Sequence, residues 1–126
     1  LQSRGLGDVY KRQQWSVIGN KLYLEVRQRS CDVALGLVAN VFQYSVLHKL
    51  VAMECGLEPA DIIWSIHNVH IYDRHMPVLL EQIKREEFEG AILKIENFTS
   101  IYDFKPDDVV VENYKYGDKI SYEVAI

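Results

Sequence analysis

The sequence predicts an α+β fold, a mixed β-sheet packed by helices, on three observations. A glycine-turned hairpin pattern opens the ordered part of the chain. A strongly apolar helical period over residues 40–55 is followed by a β-branched and aromatic run over 61–72. The last third reads as short strands and turns.

The hairpin comes first. In WSVIGNKLYLEVRQRS, Gly19-Asn20 supplies the turn, and Leu22, Leu24 and Val26 alternate with Tyr23, Glu25 and Arg27. The second strand delivers Arg29 and Ser30 at its end. Asp32 is placed to cap a short helical turn over 33–37, in which Gly36 permits a close backbone approach or a bend.

From Asn40 to Cys55, the residues Val41, Phe42, Val46, Leu47, Leu50 and Val51 recur at helical spacing, so this helix is expected to be largely buried. His48 and Gln43 fall outside that set and read as surface or packing residues. Gly56 suits the position after the helix, with Pro59 shortly beyond. Residues 61–72, DIIWSIHNVHIY, read as a long central strand whose period of two puts Trp64, Ile66, Asn68, His70 and Tyr72 on one face. Pro77 suits the first turn of a helix running to about Glu87, with Leu79, Leu80 and Ile83 inward. Strands follow over 91–95 and 109–114, with a turn at Lys115 to Asp118. The chain stays apolar to its last residue, which favours a docked terminus.

Residues 1–13 differ from the rest. They combine basic residues and glycines without an amphipathic period, and the string GDVYKRQ resembles the translation of a sequencing-library adapter. This segment reads as an artefactual leader, with native protein beginning at Gln14.

At 126 residues the chain is one domain or a piece of one. Its net charge of −4 argues against nucleic acid as a partner. No apolar run is read as long enough for a membrane span of about 20 residues. Cys31 and Cys55 make no disulfide framework, and no secretory signal is visible, so a reducing, cytoplasmic setting is expected.

The stretch RSCDVALGLVAN, residues 29–40, gathers the polar chemistry. A strand-to-helix junction offers free N–H groups and a partial positive charge to an anion, and Arg29 adds a planar donor fork suited to phosphate. Cys31 at such a junction invites a reading as a nucleophile. Asn40, on spacing alone, reads as a helix cap. His67 and His70 are three apart on a strand and face opposite sides, so no metal site is expected.

Taken together, QRSCD at 28–32, LG at 35–36, Asn40 in the following helix, HIY at 70–72 and the closing EVAI resemble the C-terminal part of thymidylate synthase, in order and spacing, from Gln14 to Ile126. The resemblance implies a three-layer α+β catalytic domain, partial here, and a homodimer whose large sheets pack back to back. It implies methylation of deoxyuridylate (dUMP) to thymidylate (dTMP), with 5,10-methylenetetrahydrofolate giving both the one-carbon unit and the hydride, and no metal. A family cysteine adds to C6 of the pyrimidine and makes C5 nucleophilic.

Residue by residue, the resemblance implies that Arg29 and Ser30 hold the nucleotide phosphate, with Cys31 in the same loop. Asp32 sits where pyrimidine meets folate, and Asn40 reads the N3 and O4 edge with one donor and one acceptor. His70, Ile71 and Tyr72 bind at the deoxyribose hydroxyl. Gly36 and Ala125 lie on the folate side, Ala125 as the C-terminus closes.

The chain also departs from the family. The nucleophilic cysteine, in a Pro-Cys-His setting, falls on Val9 and is absent, so this chain is expected to be inactive alone. Leu37-Val38-Ala39-Asn40 stands for the usual Val-Pro-Phe-Asn, and His67-Asn68 for the usual Gly-Asp. The alternatives are a pyrimidine-nucleotide hydroxymethylase, which adds water in place of hydride, and a non-catalytic nucleotide-binding module. Asn40 favours a uracil substrate over a cytosine one.

Overall fold

The computed structural model describes residues 11–124. Strand β1 (Lys11–Ile18) pairs antiparallel with β2 (Lys21–Asp32) around Gly19, whose φ of +62° is the left-handed conformation that a tight turn needs. A π-helical turn (Val33–Leu37) leads into α1 (Val38–Glu54), which returns the chain to β3 (Glu58–His70), parallel to β2. This is a strand–helix–strand crossover, the connection a parallel pair requires. A 3₁₀ turn (Asp73–His75) precedes α2 (Met76–Gln82). Strands β4 (Ile92–Ile95) and β5 (Val109–Glu112) form a separate antiparallel pair. The main sheet is therefore mixed, with β2 central in the order β1-β2-β3.

The core lies between β2 and α1. Leu24 and Val26 are fully buried with Tyr44, and Trp15, Leu47, Ile62 and Trp64 pack around them. The Tyr44 and Trp64 rings meet edge to face at 5.0 Å, a favoured aromatic geometry. His48 is buried, with its Nε2 2.8 Å from the Leu22 carbonyl, so it is a packing residue that links α1 to β2. At the end of α1, Gly56 N–H donates to the Met53 carbonyl and Leu57 N–H to the Ala52 carbonyl, the two bonds of a Schellman motif, with Gly56 at φ +64°.

Several expectations change. The first strand of the hairpin is longer than WSVI: β1 begins at Lys11, and Gln13 donates from Nε2 to the Tyr44 hydroxyl at 2.7 Å. β3 starts earlier and ends sooner than 61–72, because Glu58 N–H donates to the Asn20 carbonyl and the register with β2 runs from Lys21–Glu58 to Asp32–His70. α1 buries only one face: Val38, Val41 and Phe42 are exposed while Tyr44, His48, Leu50 and Ala52 are buried. The continuous helical run Val33–Glu54, 22 residues, is also long and apolar enough to cross a membrane, contrary to the sequence reading; length and composition alone do not separate such a span from a core helix. α2 stops at Gln82, and Leu80 and Ile83 are exposed. Residues 84–89, KREEFE, offer no apolar stripe, so nothing packs a longer helix in place.

Candidate functional site

The two polar motifs meet through sheet register. Because β2 and β3 run parallel, Ser30 lies beside Asn68, Cys31 beside Val69 and Asp32 beside His70. Their C-terminal ends open on the same side, where open sheets built with crossover helices place ligands. RSCD and HIY, some forty positions apart in sequence, thus border one opening.

Asp32 closes β2 and caps the turn after it: its Oδ1 accepts from the Ala34 N–H at 3.0 Å, as its sequence position predicts. Arg29 is exposed and Ser30 half-buried at the same strand end. Cys31 is buried, with Sγ 3.6 Å from the Asp32 carbonyl, so its backbone rather than its thiol borders the opening. Asn40, in the first turn of α1, donates from Nδ2 to the Gly36 carbonyl at 2.7 Å, and a Cβ on Gly36 would stand 3.5 Å from that nitrogen. The amide is thereby held next to Gly36, the two positions expected on the base and folate sides.

His70 and Tyr72 face each other edge to face with centroids 5.3 Å apart, and Ile71 between them is exposed. Tyr72 and Ile71 lie just beyond the strand. Ala125, expected at the closing terminus, lies outside the described residues. Among the described residues no group of three His, Cys, Asp or Glu side chains converges as a metal site would need.

Three contributors escape sequence reasoning. Gln28 is buried beneath the strand end: its Nε2 donates to the Ser30 carbonyl at 2.7 Å and its Oε1 accepts from the Trp64 indole N–H at 3.1 Å. His75 is fully buried beside Tyr72, with its Nδ1 3.8 Å from Asp32 Oδ1. Tyr122 packs on the other side of His75 at 5.3 Å. The contiguity of His75 with the HIY motif was the available signal; Tyr122 had none. Ala34 and Tyr122 also line an open cavity of about 1190 Å³, whose other lining residues include Arg85, Phe88, Tyr114 and Tyr116.

Comparison with known proteins gives a consistent picture. The family model described as thymidylate synthase matches residues 9–126. The thymidylate synthase of Fusobacterium nucleatum subsp. nucleatum is 79% identical over 113 residues, covering 90% of this chain and 41% of that protein. Thymidylate synthase 1 of Bacillus subtilis is 46% identical over 127 residues, covering 100% of this chain and 46% of its own. The solved structure of thermostable thymidylate synthase A from Bacillus subtilis superimposes with a TM-score of 0.86 at 46% identity, over 90% of this chain and 41% of that one. The chain thus spans less than half the length of these relatives.

Proposed function

Because the chain belongs to the thymidylate synthase family, we propose that it supplies the nucleotide-holding part of an enzyme that reductively methylates dUMP to dTMP, with 5,10-methylenetetrahydrofolate as one-carbon donor and reductant. One observation supports the reading above the others. The register of β2 with β3 sets Asp32 beside His70, so the phosphate-type motif and the sugar-type motif share one strand-end opening.

In this reading Arg29 and Ser30 hold the phosphate. The guanidinium fork supplies two parallel charged N–H donors and the hydroxyl a third. His70 and Tyr72 take the deoxyribose hydroxyl, with Ile71 between them. Asn40 offers its amide to the N3 and O4 edge, and Asp32 stands between pyrimidine and folate. Gly36 and Ala125 lie on the folate side. Cys31 contributes backbone, in keeping with its buried thiol. The whole enzyme is a cytoplasmic homodimer that acts without a metal.

This chain by itself is inactive in the same reading. Its cysteines are Cys31, buried, and Cys55, at the far end of α1; neither stands in a Pro-Cys-His setting. A nucleophile is needed to activate C5. Isothermal titration of the chain with dUMP tests the binding half. Saturable heat with one site per chain, weakened at least about tenfold in Arg29→Ala, supports it, and no heat at millimolar nucleotide defeats it. Thymidylate formation by the chain alone defeats the inactivity.

A further inference from the structure

His75 is one of the largest fully buried side chains, at 1% exposure, and the reading above gives it no role. Its Nε2 lies 2.6 Å from the Glu123 carbonyl oxygen. A carbonyl only accepts, so Nε2 carries the proton and donates. The other ring nitrogen, Nδ1, has no hydrogen-bond partner among the described residues and stands 3.8 Å from Asp32 Oδ1. The ring is held edge-on between Tyr72, at 5.6 Å, and Tyr122, at 5.3 Å. Tyr72 in turn meets His70.

Among the described residues, the segment that His75 grips is joined to the rest by few hydrogen bonds. Residues 115–124 contain no helix or strand. Their attachments run through side chains: Arg85 Nη1 donates to the Asp118 carbonyl at 2.6 Å, the Tyr122 hydroxyl donates to Gln82 Oε1, and His75 donates to Glu123. Of these three anchors, only His75 also touches the strand-end opening.

We infer that His75 is a positioning residue that fixes the closing segment Tyr122–Glu123 beside Asp32, against the ends of β2 and β3. Its bearing on the reaction rests on the nucleotide-site reading above; the docking itself does not. A glutamine at this position reaches the Glu123 carbonyl with an amide N–H in place of Nε2–H, whereas an asparagine is too short to do so.

The test uses the chain as it stands, without nucleotide. Nitrogen NMR of the histidine side chains is expected to show His75 as the Nε2–H tautomer; a ring protonated at Nδ1 with Nε2 bare overturns the inference. Amide hydrogen exchange at residues 121–124 is expected to accelerate at least about tenfold in His75→Asn and to stay within about threefold of the unsubstituted chain in His75→Gln, with β2 and β3 amides unchanged in both. Equal acceleration in the two variants, or none in His75→Asn, overturns it. Should His75→Asn fail to fold, the tautomer and the His75→Gln exchange decide. Absent dUMP binding by the unsubstituted chain defeats the site reading alone, and unchanged exchange defeats the role of His75 alone. Where dUMP binds, its affinity falls in His75→Asn and recovers in His75→Gln.

Discussion

The Trp64 indole N–H donates to the Gln28 side-chain oxygen at 3.1 Å, tying β3 to β2 one residue before Arg29. The same glutamine turns its N–H to the Ser30 carbonyl at 2.7 Å, so a single buried amide has both ends used. Buried polar groups are costly when a partner is removed. Gln28→Leu strands the indole N–H and frees the Ser30 carbonyl, and is expected to destabilise the chain by about 1–3 kcal/mol. In the double variant Gln28→Leu/Trp64→Phe the orphaned donor is gone, so the loss is less than the sum of the single losses. Urea unfolding of the four proteins checks this; strict additivity would show that the bond contributes nothing.

Leu24 sets a second expectation. It is fully buried in the cluster with Val26 and Tyr44. Leu24→Ala removes three buried carbons and leaves a cavity under Trp64 and Leu47, at a cost of about 2–5 kcal/mol. Ile63, in register with the adjacent Glu25 and 55% exposed on the other face of the sheet, is the control: Ile63→Ala should stay within about 0.5 kcal/mol. Similar losses at both positions would mean that the β2–α1 interface is not the core that holds the fold.

How far the sequence carries is visible in individual residues. Gly19-Asn20, Gly56 and the alternation through Trp64, Ile66 and Asn68 are local signals; the turn and the helix end appear where they point, and the strand does so with shifted ends. Asp32 caps the turn after β2 for the same reason: its partner, Ala34, is two residues away. What local pattern cannot convey is pairing at a distance. β2 runs to Asp32 because β3 lies alongside it, and His48 and His75 are buried by carbonyls 26 and 48 positions away. The helical period over 40–55 marks an apolar helix without saying which face finds a partner, so Val38, Val41 and Phe42 stand exposed. Cys31 looks reactive by its position before a helical turn, yet its thiol is buried, out of step with the alternation that buries Leu22, Leu24, Val26 and Gln28.

Arg27 and Arg29 form the local positive cluster of an acidic chain, and their roles are expected to differ. Arg27 is exposed and its Nε already bonds Glu25 Oε1 at 2.7 Å, an arrangement worth at most about 1 kcal/mol. Arg29, two residues nearer the opening, is the phosphate ligand of the proposed site. Arg29→Ala is expected to weaken dUMP binding by roughly 10–100-fold, the loss of a charge-assisted hydrogen bond. Arg29→Lys recovers only part, because a point charge cannot reproduce the fork. Arg27→Ala should change the dissociation constant by less than about threefold. Calorimetric titrations of the three variants check the ordering, and equal losses at positions 27 and 29 would reduce the effect to net charge.

Asn40 carries the expectation about base identity. Uracil presents an N–H donor at N3 and a carbonyl acceptor at O4, which one side-chain amide matches with an oxygen and an N–H. Cytosine presents an acceptor at N3 and an amino donor at C4, which suits a carboxyl group instead. In the structure one Asn40 N–H is committed to the Gly36 carbonyl at 2.7 Å, a bond back along the helix, so substitution has a local cost as well as a recognition cost. Two variants separate them. Asn40→Ala loses the helix bond and the base contact together, and should weaken dUMP more than deoxycytidylate, bringing the two affinities toward a common value. Asn40→Asp loses the bond to Gly36 too, but offers the group that cytosine matches; its preference for dUMP over deoxycytidylate should fall by at least about tenfold, the equivalent of one good polar contact near 1.4 kcal/mol. Parallel titrations with both nucleotides give the ratio directly. If Asn40→Asp and Asn40→Ala shift the two affinities by the same factors, Asn40 serves the turn into α1 and base choice resides elsewhere in the opening.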